Sequence, residues 1–275
     1  VPSFSAGGLE IHYELLGEGP RLLVFNGSGA TIASARPLID LLAQSFEVLV
    51  HDQRGLGLTG LPAAPERFTM AAYAADGAAL LDHAGWTTAR VFGISFGGMV
   101  AQEFAVTWPE RVERLALLCT SAGGEGGSSY PLHELDTLAA EERERVWLTN
   151  LDRRFSREWL DAHPWDRALV EQAAAREAMA LTPDQRRGAQ LQLQARSRHD
   201  VFSRLDRIRC PTLVACGRYD GLAPAANSEA IAARIPGSEL RRYDGGHLFV
   251  AQDPRALPEI VAFLGGQRDQ RPAET

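Results

Sequence analysis

The sequence predicts an α/β protein: a mostly parallel sheet covered by helices on both faces, with a block of helices inserted into it. Three observations carry this expectation. Short apolar runs alternate with helical segments from Leu9 to Cys119. No convincing strand follows between about 123 and 200, where every periodic stretch reads as helix. The strand–helix rhythm then resumes at Thr212. Such alternation calls for parallel strands joined by crossover helices and buried on both faces. The expected partition is a core made of 1–122 and 201–275, with a helical insertion at 123–200.

The elements follow in order. Leu9–Leu16 and Arg21–Phe25 are strand-like runs separated by Gly17-Glu18-Gly19-Pro20, a turn signal. Pro37–Gln44 reads as helical and Phe46–His51 as the next strand. Thr69 is placed to N-cap an Ala-rich helix that runs through His83, with Gly85 just past its end. Arg90–Ile94 is a compact strand; the helix after it should extend to about Thr107, before Pro109, and Val112–Cys119 is a further strand. In the insertion, Gly123–Ser129 reads as a flexible lead-in and Thr137–Asn150 as an amphipathic helix with Glu and Arg on its outer face. Phe155–Ala162 and Trp165–Leu181 also read as helices, and Thr182-Pro183 is a cap-plus-first-turn signature opening another. Thr212–Ala215 and Glu239–Tyr243 are strands. Between them Pro224–Arg234 is a helix whose proline suits the first turn. A last helix runs through Leu264, and the polar end Gly265–Thr275 is expected to fray.

Composition narrows the function. The 275-residue chain carries 28 basic against 35 acidic side chains, a net charge of −7, which disfavours a nucleic-acid partner. No apolar run approaches the ~18 residues that a membrane span needs. The N-terminus lacks a basic region followed by an apolar run, so no secretory leader is expected. Cys119, Cys210 and Cys216 are odd in number and lie in or beside apolar runs, as reduced core residues of a cytoplasmic protein would. His12, His83, His133, His163 and His199 have no metal-ligand spacing, so neither metal nor cofactor is expected.

The chemistry is concentrated in Val91-Phe92-Gly93-Ile94-Ser95-Phe96-Gly97-Gly98-Met99, which holds G-x-S-x-G between a strand and a helix. Crowding in so sharp a turn excludes side chains at Gly93 and Gly97. It lifts the Ser95 hydroxyl to a helix N-terminus, where developing negative charge is favoured. A hydroxyl is a weak nucleophile and needs a base, itself oriented by an acid. His247, in Asp244-Gly245-Gly246-His247 after the last expected strand, is the candidate base. Asp220, in Gly217-Arg218-Tyr219-Asp220-Gly221 after the preceding strand, is the candidate acid. Asp244 is its rival by proximity, though three residues from His247 on one loop it reads better as a turn residue.

Ser95, Asp220 and His247, in that order and at those strand ends, resemble the triad of the α/β-hydrolase superfamily, and the likeness spans the chain outside the insertion. His51-Asp52-Gln53-Arg54-Gly55-Leu56-Gly57 is similar to that family's D-x-R-G-x-G loop, and Phe25-Asn26-Gly27-Ser28-Gly29 sits where it has H-G-x. The resemblance implies an α/β-hydrolase fold whose cap is the insertion at 123–200. It also implies an oxyanion hole from the backbone N–H groups of Phe96 and Ser28. Asn26 departs from the usual His, so Gly27 or Gly29 is an alternative second donor. Gly245-Gly246-His247-Leu248-Phe249 with Gln252-Asp253-Pro254 most resembles 3-oxoadipate enol-lactonases and cofactor-free haloperoxidase/esterases. The implied activity is hydrolysis of a small or medium carboxylic ester or lactone, with no cofactor. C–C bond hydrolysis, thioester hydrolysis and perhydrolysis use the same triad, and a ligand receptor that kept the triad is the non-enzymatic alternative. Haloalkane dehalogenases and epoxide hydrolases use Asp where this chain has Ser95.

Gly55-Leu56-Gly57-Leu58-Thr59-Gly60 matches the dinucleotide fingerprint formally, but Leu61-Pro62-Ala63-Ala64-Pro65 follows where a helix should open. Asp52 and Arg54 are expected to brace that loop by hydrogen bonds. Trp147, Trp159, Trp165 and Phe155 are expected to pack the insertion, with one or two lining an apolar pocket as the sharper possibility. An acidic substrate would need one of Arg153, Arg154, Arg157, Arg196 and Arg198 to face the pocket and hold a carboxylate bidentately.

Overall fold

The computed structural model describes residues 1–177 and 180–267. Eight strands, β1 (Ser3–Ala6), β2 (Leu9–Leu16), β3 (Arg21–Phe25), β4 (Glu47–His51), β5 (Ala89–Ile94), β6 (Val112–Leu118), β7 (Thr212–Gly217) and β8 (Glu239–Tyr243), form one sheet. Its order is β1-β2-β4-β3-β5-β6-β7-β8, with the β1–β2 and β2–β4 pairings antiparallel and the other five parallel.

Strand alternation divides the core between the two faces. Leu23, Leu49, Val91, Leu115, Leu117 and Val214 pack under α2 (Met70–His83), α3 (Phe96–Thr107) and α8 (Ala225–Arg234). The intervening Leu22, Val24, Val48, Val50, Phe92, Ala116 and Leu213 pack under α1 (Ile32–Ala43) and α10 (Ala256–Gly265). Phe25 is paired with Gly93, Ile94 with Leu118 and Leu118 with Ala215, so the chain leaves β3, β5, β6 and β7 side by side along one edge.

Between β6 and β7 lie α4 (Ala140–Leu151), α5 (Arg157–Ala162), α6 (Pro164–Glu177) and α7 (Pro183–Ser197). Gly123 and Asp200 form an antiparallel bridge at the base of this segment. A Cβ at Gly123 would run into the His199 carbonyl oxygen, so the two chain ends can meet this closely only because position 123 is glycine.

Several local expectations change. α1 begins at Ile32 rather than Pro37, because Thr31 and Ser34 form a reciprocal capping box upstream and Pro37 is accommodated inside the helix. Pro224 is the N-cap of α8, one residue before its first turn. β1 and the short α9 (Phe249–Gln252) have no counterpart in the sequence reading. The expected helix over Trp165–Leu181 corresponds to α6, though positions 178–179 lie outside the described residues. Positions 268–275 of the expected frayed end lie outside them too. No helix among the described residues is long and apolar enough to cross a membrane.

Candidate active site

Ser95 sits between β5 and α3 with φ 55° and ψ −118°, one of two non-glycine residues at positive φ among the described residues. This strained turn is clamped. The Ser95 N–H donates to the Leu118 carbonyl (2.8 Å), and the Ser95 carbonyl accepts from Gly98 N–H (2.9 Å) and the Thr120 hydroxyl (2.8 Å). The flanking glycines are steric requirements. A Cβ at Gly97 would enter the Phe25 carbonyl oxygen, and one at Gly93 would lie 2.5 Å from the Gly97 carbonyl oxygen.

His247 reaches Ser95 from the loop after β8. Its Nε2 lies 3.0 Å from Ser95 Oγ and its Nδ1 lies 2.8 Å from Asp220 Oδ2. A carboxylate can only accept, so Nδ1 carries the proton and Nε2 is left to accept from the serine hydroxyl. The other oxygen of the fully buried Asp220 accepts the Leu222 and Ala223 N–H groups, both at 2.8 Å. All three side chains are thus held in one line of hydrogen bonds. Asp244 goes elsewhere: its Oδ1 accepts from Arg154 Nη1 at 2.9 Å. The loop of His247 is seated against the helical segment, with the His247 N–H donating to the Leu151 carbonyl at 2.6 Å.

The loop after β3 lies beside the serine, since a Cβ at Gly27 would be 3.6 Å from Ser95 Cβ. The backbone N–H groups of Phe96 and Ser28 have no acceptor among the described residues, whereas Gly29 N–H donates to Gln192 Oε1 at 2.8 Å. Gly29 is therefore occupied, which leaves Gly27 and Ser28 as the loop's available donors. Gln192 also donates from Nε2 to Gln53 Oε1 (2.5 Å), and Gln53 Nε2 donates to the Asn26 carbonyl (2.7 Å). Two buried glutamines thus brace the loop at the position where Asn26 replaces a histidine.

The sequence profile of the α/β hydrolase fold family matches residues 20–254. The chain belongs to the α/β hydrolase family. Among its relatives is a poly(3-hydroxyalkanoate) depolymerase of Ectopseudomonas oleovorans, 32% identical over 250 residues that cover 90% of this chain and 86% of that protein. A hydrolase from Pseudomonas aeruginosa PA01 is 29% identical with a TM-score of 0.78, over 96% of this chain and 98% of that one. An enol-lactonase from Burkholderia xenovorans LB400 has the same fold at a TM-score of 0.78 and 24% identity, over 97% of this chain and 100% of that one.

Other groups near the site of this α/β hydrolase have defined places. Cys119, Asp220 and His247 bring potential ligand atoms within 4.8 Å of one another. They fit a metal poorly, because a thiolate is needed and burial, reinforced by the Asp220 charge, drives the Cys119 thiol well above its usual range. The lone pairs of Asp220 are also already committed. Asp52 accepts from Ile32 N–H (2.7 Å) and Leu58 N–H (2.9 Å), and Arg54 forks onto Asp76 (2.5 and 2.8 Å). These bonds pin the loop containing the formal G-x-G-x-x-G, where a Cβ at Gly57 would enter the Asp52 carboxylate.

Of the five arginines singled out from the sequence of the helical segment, Arg153, Arg157 and Arg198 are exposed. Arg154 binds Asp152 through Nε and Nη2 and stacks between Trp159 and Tyr219, at 4.8 and 4.0 Å from their ring centroids. Arg196 alone is buried. Phe155 is buried, Trp147 and Trp159 are half-buried, and Trp165 is exposed with its indole N–H donating to the Ala251 carbonyl. Sequence reasoning missed Gln53, Gln192 and Thr120, none of which carries a distinctive chemical signal on its own.

Proposed function

We propose that this α/β hydrolase cleaves a small or medium carboxylic ester or lactone by a Ser-His-Asp acyl-enzyme mechanism. The single observation that carries the reading is the unbroken hydrogen-bond line from Asp220 through His247 to Ser95. Ser95 Oγ attacks the substrate carbonyl as His247 Nε2 takes its proton. The oxyanion is met by the N–H groups of Phe96 and Ser28, donors worth ~3–4 kcal/mol each in such sites. His247 then returns the proton to the leaving alkoxide, and Asp220 keeps the imidazole in the required tautomer. In the second half the acyl-enzyme is opened by water, with His247 again the base, and the steps use only groups of this chain and solvent.

The ester class is supported by the 32% identical relative named for poly(3-hydroxyalkanoate), whose hydroxy-acid units join through esters. Residues 123–200 act as the cap in this reading and 1–122 with 201–275 as the core, in keeping with the bridge between Gly123 and Asp200. The test is labelling with a fluorophosphonate followed by peptide mapping, beside turnover of p-nitrophenyl esters. Label on Ser95 alone, and a ~10³-fold or greater loss of kcat in Ser95→Ala, is the expected result. Label elsewhere, or an active alanine variant, would refute it.

A further inference from the structure

Arg196 is 6% exposed, and within the described residues its guanidinium makes one hydrogen bond, from Nη1 to the Tyr130 carbonyl at 2.8 Å. No carboxylate faces it there. Burial alone pulls its pKa down to about 10, with no neighbouring acid to offset the loss of solvent. Elsewhere in this chain the same chemical group is treated differently. Arg54, Arg154 and Arg255 each turn the edge formed by Nε and Nη2 onto both oxygens of an aspartate. In Arg196 that edge has no partner among the described residues, although a buried cation without an anion is costly to keep.

Its position gives the edge a use. α7 is anchored at one end by Gln185, which donates to the Gly57 carbonyl beyond β4, and further along by Gln192 on Gly29 beyond β3. The chain then returns to the sheet at Asp200, paired with Gly123 beyond β6. β5 lies between β3 and β6 in the sheet, so the chain from Gln192 to Asp200, which includes Arg196, passes from the β3 side of Ser95 to its β6 side. On the far side, Tyr130 N–H donates to the Leu222 carbonyl, and Leu222 N–H holds the Asp220 carboxylate. The guanidinium is therefore bracketed by the loop beside Ser95 and the turn of Asp220.

We propose that Arg196 is the binding site for a carboxylate carried by the substrate, engaged bidentately through Nε and Nη2 while Nη1 stays on Tyr130. The proposal rests on Ser95 being the nucleophile and adds the substrate class: esters or lactones bearing a free carboxylate at the end away from the scissile bond.

The test compares the p-nitrophenyl monoester of glutaric acid with its methyl-capped diester in wild type, Arg196→Met and Arg196→Lys. Wild type should favour the free acid, and Arg196→Met should lower the acid-to-diester ratio of kcat/KM by about 30-fold or more. Lys, a point charge without the fork, should restore part of that ratio. The melting temperature of Arg196→Met should hold or rise, since an apolar side chain replaces an unpaired buried charge. A lower melting temperature with an unchanged ratio would overturn the proposal and make Arg196 a brace for Tyr130. A second arm needs no turnover. Glutarate at tens of millimolar should raise the melting temperature of wild type and of Ser95→Ala but not of Arg196→Met. No shift in wild type, or equal shifts in all three, would overturn the carboxylate site whatever the fate of Ser95. Failure of the serine reading would register separately, as fluorophosphonate label absent from Ser95 while the glutarate shift persists.

Discussion

Gln192 of α7 accepts the N–H of Gly29 at 2.8 Å, across 163 residues of sequence. One amide side chain thereby fixes the loop beside Ser95 to the helical segment above it, and through Gln53 it also reaches the carbonyl of Asn26. A loop that presents a backbone donor to a developing charge must be held before the reaction begins, because reorganisation during the reaction costs rate.

Gln192→Leu should therefore act on the rate. With Ser28 N–H as an oxyanion donor, kcat should fall by roughly 10-fold or more while KM moves little, since the lost alignment matters most in the transition state. The melting temperature should drop as well, because Gly29 N–H is left without its acceptor, at a cost of ~1–3 kcal/mol. Gln192→Glu keeps an acceptor for Gly29 and should recover part of the stability. Steady-state kinetics beside thermal melts would decide, and a pure KM effect would argue against loop positioning.

The two aspartates near His247 should respond very differently. Asp220→Asn should keep the fold and cost ~10²–10⁴-fold in kcat, because an amide no longer enforces the tautomer with the proton on Nδ1. Asp244→Asn should cost less than ~10-fold, since it loses only an exposed ion pair with Arg154, worth ~1 kcal/mol at most. Measured kcat for both variants, with circular dichroism to verify folding, would reveal a reversed assignment at once.

Stability should fall on mild acidification. His51 and His199 are buried, and desolvation, with the Arg54 charge a lesser cause at His51, lowers each to about 4 from the usual 6.5. Both rings have nitrogens without hydrogen-bond partners. Between pH 6.5 and 4 the unfolded chain takes up protons that the folded chain refuses, so stability is full above 6.5 and is lost as pH falls towards 4. Below that the loss levels off, having reached on the order of 3 kcal/mol at most for each ring. Urea melts at pH 7.5, 6, 5 and 4 should show this slope, and it should flatten in His51→Phe and His199→Phe. Unaltered slopes in both variants would put the acid sensitivity elsewhere.

The legible parts of this chain are those whose signals are local. β2, β3 and β8 occupy the stretches read as strands, and Thr69 caps α2 as its side chain and spacing require. Gly93 and Gly97 announce the turn at Ser95 because any larger residue would collide there. β1 left no such mark, since only Phe4 of its four residues is buried and its pairing with β2 supplies the rest. Pro37 misled in the opposite direction, as a helix opener that a helix capped by Thr31 absorbs. Nor could sequence single out Arg196 among the five candidate arginines or Gln192 among the polar residues of α7. Their meaning comes from what lies opposite them, and that is set by the path of the chain.

The bridge between Gly123 and Asp200 has a consequence for how this protein can change. A segment whose ends meet at one residue pair is, in polymer terms, a closed ring attached at a point, and the free energy of closing it depends only on the logarithm of its length. Doubling the chain stored there would cost the sheet only ~0.6 kcal/mol. The length above the pinch is thus nearly free to drift without disturbing the strands. What cannot drift are the fasteners that the ring lends to the loops carrying Gly29 and His247, among them the amide of Gln192 on Gly29 and the carbonyl of Leu151 on His247. A transplanted segment would have to replace those fasteners to hold the same two loops in place.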